Sequence, residues 1–260
     1  MTNYVRLFLL LFSIAAFSQA PISTSLVNKT KLENKTIVGL ENATTFFYLN
    51  NNTLHKNTNG NVIKYSNLQL GDISNVDTFN PLKINIFYKD LNSVIVLDNR
   101  LAEIVKIDFN SVQNYKNVSK VSTGPDNTLW LFNQDLQQLE LYDYKNNTTR
   151  AITRPINDTP IDLKSNYNYC FLLAKNHIYI YNYFGSLVNK YPNTGYTSIK
   201  EHNDHLILKK EHTLFYLNNL NKSTSTILTP PFLIDAFFVT NKSLYIYDNN
   251  NLQEFHLKIK

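Results

Sequence analysis

Six times between residues 46 and 248 the chain repeats an apolar, aromatic-rich run: Phe46-Phe47-Tyr48-Leu49-Asn50, Ile84-Asn85-Ile86-Phe87-Tyr88-Lys89, Thr128-Leu129-Trp130-Leu131-Phe132-Asn133, Tyr169-Cys170-Phe171-Leu172-Leu173-Ala174, Leu206-Ile207-Leu208-Lys209-Lys210 and Leu244-Tyr245-Ile246-Tyr247-Asp248. The runs end at residues 50, 89, 133, 174, 210 and 248, in steps of 39, 44, 41, 36 and 38 residues. Short runs of β-branched and aromatic residues bounded by turn formers specify strands, and no segment shows a convincing helical period. A strand-only chain with a period near 40 residues predicts an all-β fold, a β-propeller with one four-stranded blade per repeat and six blades in all. Seven blades, the alternative, would leave roughly 34 residues for each, below the usual blade length.

The third repeat shows how a unit builds a blade. Strands are expected at 118–123, 128–132, 136–142 and 148–153, with Gly124-Pro125-Asp126-Asn127 turning the chain after the first. In the second strand Leu129 and Leu131 point one way and Trp130 and Phe132 the other. Both faces are apolar and need cover, which blades stacked face to face provide. The second repeat offers 73–79, 84–88, 94–97 and 104–107, and Asn59-Gly60 in the first is a type I′ hairpin signal. The last repeat, 233–239, 244–247 and 252–259, ends one strand short. Residues 23–32 are the spare strand expected to complete that blade and remove an open sheet edge.

Residues 1–18 read as a cleaved secretory signal. Arg6 supplies the positive charge, residues 7–17 are almost unbroken apolar sequence, and Ala16-Phe17-Ser18 offers the small residues a signal peptidase requires. That run is about half the ~20 residues needed to span a bilayer. No cysteine stands near the cleavage site, so no lipid anchor is expected. Residues 19–260 are then one exported domain without a transmembrane segment, periplasmic or secreted and monomeric. The abundance of Asn, Lys, Ile and Tyr is the residue usage of an AT-rich bacterial genome. Cys170 is the one cysteine, which excludes an internal disulfide and leaves stability to the core. The chain is 43% hydrophobic and 13% aromatic, enough for a single large domain. Its net charge of +5 is spread over lysines such as Lys29, Lys116, Lys120, Lys209 and Lys258. Nucleic-acid binders concentrate such charge on one face, so nucleic acid is not an expected partner and these lysines are assigned to solvation.

The six glycines, at 39, 60, 71, 124, 185 and 195, form no GxGxxG, GxxxxGK or GxSxG; neither a nucleotide loop nor a hydrolase elbow is indicated. Cys170 sits inside an apolar run and is expected to be a buried, inert thiol. His202 and His205 flank Asn203-Asp204. A two-residue turn there would oppose their Cβ atoms at about 5 Å, which makes them the metal candidates. Glu211 and His212 lie roughly 20 Å further along, so the ligand set is incomplete and no metal or cofactor is expected. First strands line a propeller's channel, which makes Glu41, Asp77, Lys164, Lys200 and Asp235 the channel-lining candidates for a small polar ligand. Tyr183, Phe184 and Tyr191 are candidates for a partner surface.

The stretch Thr123-Gly124-Pro125-Asp126-Asn127-Thr128-Leu129-Trp130 resembles the turn and strand of bacterial propeller repeats of the NHL and quinoprotein-like kind, and the period extends over most of residues 34–260. The resemblance implies ligand or protein binding as the usual role. The expected function is an exported, non-catalytic propeller that binds another protein of the cell envelope or serves as an assembly module. Two alternatives stand beside it. One is a small-molecule enzyme similar to the six-bladed calcium-dependent lactonases, which would need Glu41, Asn42, Asp77 and Asp235 to converge. The other is a carbohydrate-binding propeller that uses tyrosines on loops.

Overall fold

The computed structural model describes residues 20–32, 36–231, 233–240 and 243–258, and the expected signal segment lies outside them. β1 (Ile22–Lys31) comes first in the chain. Four antiparallel four-stranded sheets follow in sequence order. The first is β2 (Thr36–Asn42), β3 (Thr45–Asn50), β4 (Thr53–Thr58) and β5 (Asn61–Tyr65); the second is β6 (Asn75–Asp77), β7 (Ile84–Tyr88), β8 (Ser93–Leu97) and β9 (Glu103–Asp108). The third is β10 (Val118–Thr123), β11 (Thr128–Asn133), β12 (Gln138–Asp143) and β13 (Thr148–Ile152), and the fourth is β14 (Pro160–Ser165), β15 (Tyr169–Ala174), β16 (His177–Asn182) and β17 (Leu187–Pro192). The remaining strands are β18 (Ser198–His202), β19 (His205–Lys210), β20 (Thr213–Asn218), β21 (Ser223–Leu228), β22 (Ala236–Val239), β23 (Ser243–Asp248) and β24 (Asn251–Leu257). They form one eight-stranded sheet with β1, in the order β18-β19-β20-β21-β1-β24-β23-β22.

β1 holds that sheet together. It runs antiparallel to β24 from Thr24↔Leu257 to Lys31↔Asn251, with a bulge between Leu26 and Asn28. It touches β21 only through the parallel pairs Ile22↔Ile227 and Ser23↔Leu228. The N-terminal segment thus lies beside β24, the last strand of the final repeat.

Every residue of β7, β8 and β11 is buried, while β5, β13 and β17 at the outer edges are largely exposed. The core is accordingly divided among the sheet interfaces. Trp130 and Phe132 pack with Leu163, Cys170, Leu172 and Tyr179 of the following sheet, whereas Leu129 and Leu131 pack with Phe87, Val94 and Val96 of the preceding one. Phe238, Tyr245, Tyr247 and Leu252 pack back onto Ile37, Phe46 and Tyr48, so the end of the chain meets its beginning. The first strands β2, β6, β10, β14, β18 and β22 touch one another in cyclic order.

The chain's many asparagines find a use in the turns. Asn51-Asn52 (φ 47° and 57°), Asn203-Asp204 (50° and 64°) and Asn249-Asn250 (44° and 66°) are two-residue hairpin turns in the left-handed region, which short polar side chains tolerate. Asn59-Gly60 (51° and 89°) is the hairpin its sequence predicts.

The first strand of the second repeat and the lysines depart from expectation. β6 covers only Asn75–Asp77 of the expected 73–79, because Asp77 Oδ1 accepts the Phe79 N–H at 3.0 Å and Pro81 follows. Nor do all the lysines serve solvation: Lys116 is buried against Glu140, and its ammonium donates to Thr149 Oγ1 at 3.1 Å. The other Glu140 oxygen accepts from Asn133 Nδ2 at 2.8 Å, so this buried ion pair is fully bonded. Cys170 is completely buried, and burial pushes its thiol well above the ordinary range. No helix among the described residues is long and apolar enough to cross a membrane.

Candidate functional site

Alternate residues of a strand share a face, so the innermost strand of each sheet sends every second side chain toward the axis. A cavity of about 720 Å³ opens there, lined from the strands by Glu41, Asp77, Ser122, Lys164, Lys200 and Phe238. The loops add Phe79 and Pro81 after β6, Asn166, Tyr167 and Asn168 after β14, and Asn203-Asp204 after β18. A smaller pocket of about 150 Å³ is lined by Lys89, Lys120 and Asp162. The ion pair between Lys164 Nζ and Asp162 Oδ1, 3.1 Å, joins the two.

Hydrogen bonds clasp the inner strands together. Asp77 Oδ2 accepts from Ser122 Oγ and from the Thr123 N–H, both at 2.8 Å, which ties β6 to β10. Ser165 Oγ reaches Ser122 Oγ at 2.8 Å and the Thr123 carbonyl, tying β14 to β10. Asp162 Oδ2 accepts the Ile199 N–H at 3.1 Å, tying β14 to β18. Asp77→Ala would leave buried donors without an acceptor and is expected to cost about 2–3 kcal/mol. A denaturant midpoint equal to wild type would contradict the clasp.

The charges inside the channel act on one another. Burial works against the Lys164 ammonium, but Asp162 and Asp77 outweigh it and hold its pKa above the usual value. For Lys200 the same two carboxylates do not suffice. Burial and the neighbouring Lys164 push it down to about 8, against the opposing pull of Asp162 and Asp77. A base whose folded pKa lies below its unfolded value binds fewer protons when folded, so its charge works against folding at low pH. The penalty is complete below about pH 8 and fades as pH rises toward the unfolded lysine value of about 10.4. Lys200→Met should therefore raise the denaturant midpoint more at about pH 7 than at about pH 10. An equal effect at both would show that the ammonium is freely solvated.

At the rim, Asn166 Nδ2 donates to Glu201 Oε1 (2.9 Å) and Asp204 Oδ1 (2.6 Å), and the Asp204 N–H donates to Glu201 Oε1 at 3.0 Å. Burial and Asp204 raise the Glu201 pKa, with these hydrogen bonds opposing. Phe79 and Tyr167 meet edge to face at 5.2 Å, spanning the mouth above the intervening sheet. Glu41 pairs with Lys56 at 3.5 Å.

Of the candidates read from the sequence, Glu41, Asp77, Lys164 and Lys200 line this cavity, and Asp235 does not. Asp235 is exposed, and its Oδ2 accepts the Asn249 N–H at 3.2 Å, bracing a turn. His202 and His205 do face each other across the Asn203-Asp204 turn. His205 Nδ1, however, is taken by the Asn219 N–H at 3.0 Å, and burial lowers the pKa of both rings. Among the described residues no group of three or more His, Cys, Asp or Glu is placed to hold a metal. Of the four ligands a calcium-dependent reading requires, Glu41 and Asp77 line the cavity and Asn42 and Asp235 do not. Asn42 Oδ1 accepts the N–H groups of Thr44 and Thr45, each at 2.9 Å, and Lys164 and Lys200 bring positive charge to the Asp77 side of the channel. Sequence reasoning missed Phe79, Asn166, Tyr167 and Asp204, whose roles depend on loops from different repeats.

No protein-family model matches this sequence, and no protein of curated function is similar to it in sequence. Solved structures are similar in fold. Virginiamycin B lyase from Staphylococcus aureus is 10% identical with a TM-score of 0.62, over 90% of this chain and 100% of that one. A chain of the mitotic checkpoint complex is 11% identical with a TM-score of 0.60, over 87% and 76%. BamB from Moraxella catarrhalis is 11% identical with a TM-score of 0.52, over 82% and 70%. At such identities the likeness establishes architecture alone: the chain is a repeat-type β-propeller.

Proposed function

We propose that this chain is an exported six-bladed propeller, its last blade closed by β1, that serves as a non-catalytic protein-binding or assembly module of a bacterial cell envelope. Apolar clusters between successive four-strand groups, including the one that returns to β2 and β3, support six blades. In this reading the eight-stranded sheet is two blades bridged at the short β1–β21 contact.

The observation that carries the binding role is an exposed apolar cluster on the outer face, where β13 meets the β16–β17 turn. Ile152, Tyr183, Phe184 and Leu187 are 58%, 46%, 66% and 51% exposed, and the Tyr183 and Phe184 rings lie 4.1 Å apart. The turn is held against β13 so closely that a Cβ at Gly185 (φ 78°) would stand 2.6 Å from the Ile152 carbonyl oxygen. Contiguous exposed apolar side chains mark contact surfaces, unlike singly scattered ones. The propeller fold also occurs within an assembly such as the mitotic checkpoint complex.

Affinity capture of the tagged full chain from its native envelope tests this reading. Wild type should bring down a stoichiometric protein, and an Ile152→Ser/Phe184→Ser double variant with an unchanged denaturant midpoint should lose it. Equal capture by both proteins, or none by either, would refute the surface. Tyr167 favours carbohydrate binding as a second reading, since it is 51% exposed at the channel mouth and offers a ring face for stacking.

A further inference from the structure

The channel holds a cation for which the described residues provide no acceptor. Lys164 has Asp162, Lys56 has Glu41, and Lys116 has Glu140. The Lys200 ammonium lies 4.8 Å from the centre of the Phe238 ring and has neither an ion pair nor a hydrogen bond among the described residues. The nearby carboxylates are committed elsewhere: Asp77 to Ser122, Thr123 and Phe79, Asp162 to Lys164 and Ile199, and Glu201 to Asn166 and Asp204. A half-buried ammonium without an acceptor is costly, and a ring face offsets only part of that cost. An anion entering from solvent would supply a charge-assisted hydrogen bond.

The surroundings narrow the kind of anion. At about 720 Å³ the cavity is of small-molecule size. Phe238 lies beside Lys200, and Phe79 and Tyr167 stand at the mouth, so an apolar or aromatic body has surface to cover. Glu41, Glu201 and Asp204 at the rim disfavour a polyanion such as nucleic acid or polyphosphate. We propose that the channel binds a compact organic monocarboxylate, with its carboxylate on the Lys200 ammonium and its body against Phe238 and the Phe79–Tyr167 pair. The site is separate from the outer-face cluster and does not depend on the protein-binding reading.

Isothermal titration of the unaltered protein with benzoate and phenylacetate, beside benzamide and phenylacetamide, tests it. Each acid should bind at least about tenfold more tightly than its amide, the worth of one charge-assisted bond. Lys200→Met should reduce the acids to the level of the amides. Equal affinity of acid and amide, no binding of either acid up to about 10 mM, or undiminished acid binding by the variant would overturn the proposal. Because the acid–amide comparison uses the native chain, it decides the matter even if the variant fails to fold.

Discussion

Trp130→Ala is expected to lower folding stability by about 3–5 kcal/mol, a large share of what a domain of this kind possesses. Trp130 is 1% exposed on β11, a strand hydrogen-bonded on both sides by β10 and β12. The indole fills the space between two sheets, against Leu163, Cys170, Leu172, Tyr179 and Tyr181. Neither neighbouring strand can move inward without breaking its ladder, so the cavity left by truncation cannot collapse. Far-UV circular dichroism is the appropriate measurement, because the variant lacks the only tryptophan. Leu136→Ala, at a side chain 54% exposed on a turn, is the control and should shift stability by no more than about 0.5 kcal/mol. A Trp130→Ala midpoint that matches this control would show that the sheets do not depend on each other's packing.

The reason β11 could be read from its sequence bears on what could not. A strand apolar on both faces has few places to go in an all-β chain, so Leu129-Trp130-Leu131-Phe132 announces sheets stacked on both sides. The repeat period then places first strands around an axis, which is why Glu41, Asp77, Lys164 and Lys200 were legible as channel residues. Asp235 fails the same reasoning because it stands just before β22 and turns to Asn249. What local pattern does not contain is which loops meet. Phe79 and Tyr167 belong to the second and fourth sheets, and their contact over the intervening third follows only from ring geometry. Lys116 and Glu140 pose the same difficulty in the core: both look like surface charges until the sheet brings them together. Asp162 and Lys164 were within reach, since positions two apart on one strand share a face.

Removing residues 20–32 is expected to have the largest effect, leaving a chain that aggregates or unfolds under conditions where the intact protein is stable. β1 pairs with β24 through seven residue pairs. Further bonds tie it in: Thr24 Oγ1 donates to the Leu228 carbonyl at 2.6 Å, the Leu32 N–H to the Asn250 carbonyl at 2.7 Å, and the Tyr247 hydroxyl to the Leu32 carbonyl at 2.8 Å. At roughly 1 kcal/mol for each net hydrogen bond, the loss is on the order of 5 kcal/mol, comparable with the whole stability of a domain. The strand left behind is also unsuited to an edge. β5, β13 and β17 are exposed outer strands, whereas β24 buries Leu252, Gln253, Phe255 and Leu257 as an interior strand does. An apolar strand with unpaired backbone groups is a template for association with other chains. The side chains of β1 contribute less than its backbone. Leu26→Ala and Val27→Ala, at positions 57% and 60% exposed, should each change stability by no more than about 0.5 kcal/mol. Size-exclusion chromatography and denaturant unfolding of the truncated chain separate the cases: a monomer with the wild-type midpoint would mean that the ring closes without β1, through the apolar contacts of Phe238, Tyr245 and Tyr247 with Ile37 and Phe46 alone.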